Sequence, residues 1–196
     1  MNTDTTTLLT RARQGETAAW DQLFVRAADR VLLYIRMRLG PKLRNQLESM
    51  DVLQEAYTVA VQALPELDLR GEEAFVAWLC RIAERRMADL ADYHGAQKRQ
   101  PPGRALPVVE LLEQARHSGT DPITAAERSE TRRQLEQAIE RLEPEERDVL
   151  LDRFFEQRTH DDIAARLGRS PSGVRKLLGR ALHKLGRELT GARREQ

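Results

Sequence analysis

A single cysteine, Cys80, stands among the 196 residues, so no internal disulfide can form; a bridged secreted scaffold is excluded, and so is a zinc site built from paired cysteines. Set between Leu79 and Arg81 in a helical pattern, Cys80 reads as a small packing residue rather than a nucleophile. Aromatic residues make up only 5% of the chain, and no apolar run approaches the roughly 18 to 20 residues that span a bilayer. The first ten residues have neither a basic start nor a long apolar stretch. No secretory leader and no membrane partner are expected, and the chain reads as cytoplasmic. The four histidines, His94, His117, His160 and His183, lack metal-ligand spacing, and there is no glycine-rich phosphate loop, nucleophile elbow or zinc signature. Neither enzymatic activity nor a metal or cofactor is therefore expected. The triplet His160-Asp161-Asp162 carries acid and base groups, but acids at a helix start more simply favour the positive end of the helix dipole.

An overall excess of one charge is also missing: the net charge is +1 although 32% of residues are charged. The balance hides blocks. Between Arg26 and Arg44 six basic residues face one acid, Asp29, whereas Leu47 to Glu73 holds seven acids and only Arg70. Glu143 to Asp162 carries eight acids and three arginines, and Arg169 to Glu195 carries eight basic residues and two glutamates. The C-terminal part thus has ends of opposite sign. Such runs are commonly solvated faces, but a basic terminal helix also suits a phosphate backbone.

What is abundant is helical spacing, with nothing alternating at the two-residue period of a half-buried strand. A hydrophobic content of 40% suffices when each helix needs only a stripe. Trp20, Leu23, Phe24, Ala27, Val31, Ile35 and Leu39 mark one long helix, expected to end at Gly40-Pro41. A second runs from about Asp51 to Leu64 and is stopped by Pro65; a third follows the turn signal Leu69-Arg70-Gly71 and carries Phe75, Trp78, Leu79, Ile82 and Leu90. With a short opening helix near Leu8 to Arg13, these predict an all-helical unit over residues 1–95. Pro101, Pro102, Gly103, Pro107, Gly119 and Pro122 then forbid long regular structure, so 96–124 is expected to be a flexible linker, with a helical turn or two allowed at Val108 to Ala115. A second helical unit, 125–196, shows four patterns: about Ala125 to Leu142, Glu145 to Phe155, Asp161 to Leu167 and Pro171 to Leu189. The fold class is therefore all-α, two small helical domains on a tether.

The last two patterns form a helix-turn-helix. Thr159 with Asp162 three residues on resembles a capping box with Asp in place of Glu or Gln. Gly168 supplies backbone freedom for a tight turn, Ser170 can cap the next helix, and Pro171 fits its first position. Ile163, Ala164 and Leu167 face inward, as do Val174, Leu177, Leu178, Ala181, Leu182 and Leu185, while Arg175, Lys176, Arg180, Lys184 and Arg187 supply cations. Such a helix can enter a major groove, its N-terminal turn meeting base edges and its flank holding phosphates. Ser172, Gly173 and Lys176 are placed at base edges, and Arg169, Arg175 and Arg180 at the backbone. Gly173 inside a helix costs roughly 1 kcal/mol relative to Ala, tolerable where closeness to DNA requires it.

With these residues in place the chain resembles an RNA polymerase sigma factor of the extracytoplasmic-function (ECF) group of the sigma-70 family, over nearly its whole length. Leu8 to Gly15 followed by Ala18 to Phe24 is similar to the family's opening, Asp51-Val52-Leu53-Gln54-Glu55-Ala56 to its polymerase-docking helix, and Phe75, Trp78-Leu79, Arg81-Ile82-Ala83 and Asp89 to its promoter-melting helix. Leu142 to Arg147, Phe154-Phe155-Glu156 and the helix-turn-helix resemble its fourth domain. The resemblance implies partners: core RNA polymerase, through the beta-prime clamp helices and the beta subunit, and promoter DNA, with an anti-sigma factor left open. It places polymerase contacts on Asp51, Val52, Gln54 and Glu55. It places −10 recognition and melting on the loop Asp68 to Ala74 and on Phe75, Trp78, Arg81, Arg85, Arg86 and Asp89, and −35 recognition on Arg169, Ser170, Ser172, Gly173, Arg175, Lys176, Arg180 and Lys184. A flipped base needs a pocket and cations along the strand, which Arg81, Arg85 and Arg86 can supply; Phe75 and Trp78 read more readily as core residues than as stacking platforms. The chain departs from the family pattern with Arg85 where Asn is usual, Gln157 where Gly is usual, Arg169 where an apolar residue is usual and Leu177 where a basic one is usual.

The sequence is also compatible with two other classes. A helix-turn-helix regulator with a helical sensor domain would bind a duplex operator alone, usually as a dimer, and a helical adaptor similar to an anti-sigma protein would lack the basic recognition helix.

Overall fold

The structure, a computed structural model, describes residues 4–44, 48–64, 68–96, 130 and 133–192, with side chains throughout except at 40–44, 91–96 and 191–192. All regular structure among these residues is helical. The chain divides into two compact units, residues 1–119 and 120–196. The expected linker lies, from residue 97 onward, outside the described residues.

The N-terminal unit is built on one long helix. α1 (Thr5–Arg13) and α2 (Thr17–Arg44) are followed by α3 (Ser49–Ala63) and α4 (Gly71–Ala96). α2 packs against all three of the others, and α4 also against α1 and α3. The periodic positions of α2 explain this: Trp20, Leu23, Phe24, Ala27, Val31, Ile35 and Leu39 are all buried, so one stripe along it faces every neighbour. Fully burying side chains of this size contributes about 1.5 to 3 kcal/mol each. The aromatics gather at one level of this stripe. Trp20 stacks on Phe24 at 4.9 Å, and Phe24 meets Tyr57 of α3 at 4.0 Å and Phe75 of α4 at 6.2 Å. The Tyr57 hydroxyl donates to the carbonyl of Phe24 at 2.9 Å, which satisfies the buried phenol. Burial pushes the Tyr57 phenol well above its usual pKa. Cys80 is buried among the same helices as a packing residue.

One boundary differs from the sequence reading. Gly40-Pro41 was expected to end α2, yet the helix continues through both to Arg44. A proline removes one i to i−4 hydrogen bond and crowds the preceding turn, a serious penalty at mid-helix. Here the bond removed is the one to the carbonyl of Met37, so the penalty is confined to the turn from 37 to 41 and leaves the rest of α2 intact.

The C-terminal unit comprises α5, the helical stretch 133–140, then α6 (Pro144–Phe154), α7 (His160–Leu167) and α8 (Pro171–Ala192). α6 and α7 both pack on α8 and touch each other. The core is aliphatic: Ala138, Ile139, Leu142, Val149, Leu150, Leu151, Ile163, Ala164, Val174, Leu177 and Ala181 are buried. Leu182, expected on the apolar side, is 43% exposed, and Leu167, Leu178 and Leu185 are partly exposed.

The turn after α6 uses a left-handed residue. Gln157 has φ 54°, and this reversal brings the Arg158 N–H back to the carbonyl of Asp152 at 2.9 Å. An L-residue with a Cβ pays about 1 to 2 kcal/mol for that conformation, whereas glycine does not. Gln157→Gly is therefore expected to stabilise the C-terminal unit by about 0.5 to 1 kcal/mol, the remainder being offset by the greater freedom of glycine in the unfolded chain. Both tryptophans lie in the N-terminal unit. Thermal unfolding followed by far-UV circular dichroism should then shift upward while the tryptophan fluorescence transition stays put; an unchanged or lowered dichroism transition would show that the residue is not strained.

Candidate nucleic-acid interface

On α3 the sequence-predicted polymerase residues separate by orientation. Asp51 and Glu55, four residues apart and thus on one helix face, are exposed, and Gln54 is partly exposed. Val52 is fully buried. The expected contact role for Val52 is corrected accordingly: it packs α3 into the unit and leaves the outer face to its polar neighbours. Asp51 lies in the first turn, where a carboxylate is favoured by the helix dipole.

On α4, Trp78, Arg81, Arg85 and Asp89 follow the i, i+3, i+4 pattern along one side; Arg81, Arg85 and Asp89 are exposed and Trp78 partly so. Phe75 is 1% exposed and sits between Phe24 and Trp78, 6.0 Å from the latter. Its expected contact with DNA is corrected as well: a ring held in the aromatic cluster has no free face for a base, while its neighbour Trp78 reaches the surface. Arg86 bonds Asp89 at 3.1 Å along the helix. Arg38, on α2, lies 3.7 Å from Glu84 of α4 and donates to the Tyr34 hydroxyl at 3.2 Å, which ties the two helices behind this stripe.

The helix-turn-helix is assembled by short-range hydrogen bonds. The Thr159 N–H donates to the Asp162 carboxylate at 3.1 Å and the Asp162 N–H returns to the Thr159 hydroxyl at 3.1 Å, a reciprocal cap. Gly168 ends α7 in the left-handed region, φ 62°, a conformation that glycine adopts without steric cost. The Gly173 N–H donates to the Ser170 hydroxyl at 3.1 Å, and the Ser172 hydroxyl lies 3.1 Å from that of Ser170. A Cβ on Gly173 would sit 3.2 Å from the Ser170 hydroxyl oxygen. The glycine thus protects the cap of α8, a reason for its presence beyond the approach to DNA inferred from the sequence.

Longer-range ion pairs then fix α7 and α8 to α6, and sequence reasoning missed them. Asp152 and Glu156 are fully buried and Glu146 nearly so. Arg166 of α7 bonds Asp152 and Lys184 of α8 lies 2.8 Å from Glu146, while within the turn after α6 Arg158 lies 2.7 Å from Glu156, two residues away. The hydrogen bond from Lys184 holds the Glu146 carboxyl below its usual pKa, assisted by the Glu143 N–H and opposed by burial. Arg169 bonds Glu145. Two of the expected −35 cations, Arg169 and Lys184, are therefore engaged with α6. Arg175, Lys176 and Arg180 are exposed on α8, and Arg175 and Lys176, in its first two turns, have no acidic partner among the described residues.

A two-unit helical protein whose second unit ends in a capped helix-turn-helix with an exposed basic recognition helix belongs to the DNA-binding class. Residues 24–97 match the family described as Sigma-70 region 2, and residues 132–185 match Sigma-70, region 4. The chain is 31% identical over 163 residues to the ECF RNA polymerase sigma factor SigD of Mycobacterium tuberculosis, covering 83% of this chain and 73% of that protein. It is 29% identical over 194 residues to the RNA polymerase sigma-H factor of Pseudomonas aeruginosa, covering 96% of this chain and 95% of that one. A solved chain described as CnrH in complex with the cytosolic domain of CnrY is similar over 96% of this chain and 99% of its own, at 23% identity and a TM-score of 0.48. The chain belongs to the sigma-70 family as an ECF sigma factor, a protein of transcription initiation. Among its described residues no helix is long and apolar enough to cross a membrane.

The Glu146 to Lys184 tie gives the C-terminal unit a pH dependence with a definite sign. Because the folded carboxyl titrates below the ordinary value of 4.5, its contribution is fully present above that value and is lost as pH falls through the folded one. Unfolding midpoints by far-UV circular dichroism should fall between about pH 5 and about pH 3 more steeply for the natural chain than for Glu146→Gln. Equal steepness would show that the pair contributes nothing.

Proposed function

We propose that this sigma factor docks on core RNA polymerase through the exposed acidic face of α3, recognises and opens the −10 element with α4 and the loop before it, and reads the −35 element as duplex with α7 and α8. It acts as a non-enzymatic specificity factor in the cytoplasm, and promoter DNA and polymerase are its partners. The observation that carries the reading is the pair Arg175 and Lys176: exposed, without an acidic partner among the described residues, and on the first two turns of a helix whose N-terminal end also favours phosphate. The exposed pair Asp51 and Glu55 supports the docking surface, since an acidic helix face complements a basic partner. A stand-alone regulator of duplex operators has no use for the region 2 unit that occupies the first half of this chain.

Two experiments test the reading. Asp51→Arg combined with Glu55→Arg should weaken co-elution with core polymerase about tenfold or more, like charges at an interface costing several kcal/mol, with helicity intact. Undiminished co-elution would reject the docking face. Arg175→Ala with Lys176→Ala should lower promoter affinity of the holoenzyme and reduce the slope of log affinity against log salt by roughly 1 to 2 units. A slope that does not move would remove these residues from the phosphate contacts.

A further inference from the structure

The described segment 68–73, which carries the chain into the first turn of α4, is held from α2 and α1. Arg30 of α2 grips Glu73 with both arms of its guanidinium, Nη1 to Oε1 and Nη2 to Oε2, each at 2.7 Å, and Nη1 lies 3.7 Å from Glu72. Such a fork fixes direction as well as distance. The Arg30 side chain is 34% exposed, so the fold itself constrains the gripping arm. At residue 68 Arg13 of α1 reaches the Asp68 carboxylate at 3.5 Å. Between these anchors Gly71, at φ 79°, turns the chain into α4, and the Arg70 side chain stands 85% exposed. The segment is tied at both ends and open in its middle.

We propose that Arg30 is a positioning residue for −10 recognition: by holding Glu73 it keeps residues 68–73 and the first turn of α4 in the arrangement that receives the unstacked base. This rests on the functional reading above, which puts the loop against the opened strand. A receptor for an extruded base works only if it is ordered beforehand, because any ordering left to the moment of binding subtracts from affinity. No DNA contact by Arg30 itself is required.

The test uses the full chain with Arg30→Ala, and with Arg30→Glu combined with Glu73→Arg to restore the pair in reverse. Three quantities are read: amide hydrogen exchange in the free protein, affinity for core polymerase, and permanganate reactivity of −10 thymines with holoenzyme on promoters taken from a genomic fragment library. Arg30→Ala should accelerate exchange at 68–74 and leave α3 unchanged, keep core affinity within about twofold, lower promoter opening about threefold to tenfold and blunt discrimination among −10 substitutions, with the reversed pair recovering most of each loss. Unchanged exchange at 68–74 would show there is no clamp. Faster exchange with undiminished opening and discrimination, or failure of the reversed pair to recover them, would show a clamp without this role. Loss extending to α3 exchange and core affinity would make Arg30 a general stabiliser. Should the natural chain open no promoter with any core, the functional reading fails, while the exchange result still decides the clamp.

Discussion

Three carboxylates withdrawn from water, Glu146, Asp152 and Glu156, set the shape of the C-terminal unit. Its core is made of Ala, Ile, Leu and Val, whose attraction has no direction, so burial alone leaves the angles among α6, α7 and α8 loosely specified. A carboxylate out of water needs a cation at a defined place: Glu146 has Lys184 of α8 and Asp152 has Arg166 of α7, which set the helix angles, while Glu156 has Arg158 two residues on and fixes the turn after α6. Deleting one member of such a pair leaves an uncompensated charge at a cost of roughly 3 to 5 kcal/mol, which is what makes the arrangement strict. The partly exposed cations temper that figure, but the directional constraint stays. α6 thereby acts as a frame that fixes the helix-turn-helix and engages some of its cations, while Arg175, Lys176 and Arg180 stay exposed on α8.

The N-terminal unit solves the same problem differently. Its ordering contacts are aromatic, with Trp20, Phe24, Tyr57, Phe75 and Trp78 in one connected series across α2, α3 and α4. A chain with so few aromatic residues concentrates them where three helices meet. Because that cluster takes Phe75 inward and Val52 lies beneath α3, the outer faces of α3 and α4 are left to charged residues of opposite character, Asp51 and Glu55 on one and Arg81 and Arg85 on the other. One unit thus displays an acidic surface suited to a protein partner and a basic one suited to a nucleic acid.

What the sequence disclosed follows from distance along the chain. The reciprocal cap of Thr159 and Asp162, the left-handed Gly168 and the Ser170 cap of α8 all act within three or four residues, and each is present in the structure. The unusual Gln157 was also visible as a departure from a glycine, and its positive φ explains why glycine suits the position. Periodicity placed Phe75 on an apolar face but could not distinguish a core ring from a stacking platform, since both need the same spacing. Gly40-Pro41 carries a strong stop signal, yet α2 runs on through it to Arg44. Pairs such as Lys184 with Glu146, 38 residues apart, and Arg30 with Glu73, 43 apart, have no local signature at all. Tertiary packing alone decides which cations are spent inside the protein.

In the proposed function the two units act on one start site while mounted on polymerase. The most direct test is reconstituted transcription: purified protein, core polymerase from its own cell and a library of genomic fragments, with run-off transcripts mapped to the nucleotide. A discrete set of start sites, absent with core alone and sharing sequence at −10 and −35, is predicted. Transcription no different from core alone, together with tight sequence-specific binding to duplex DNA by the free protein, would contradict it.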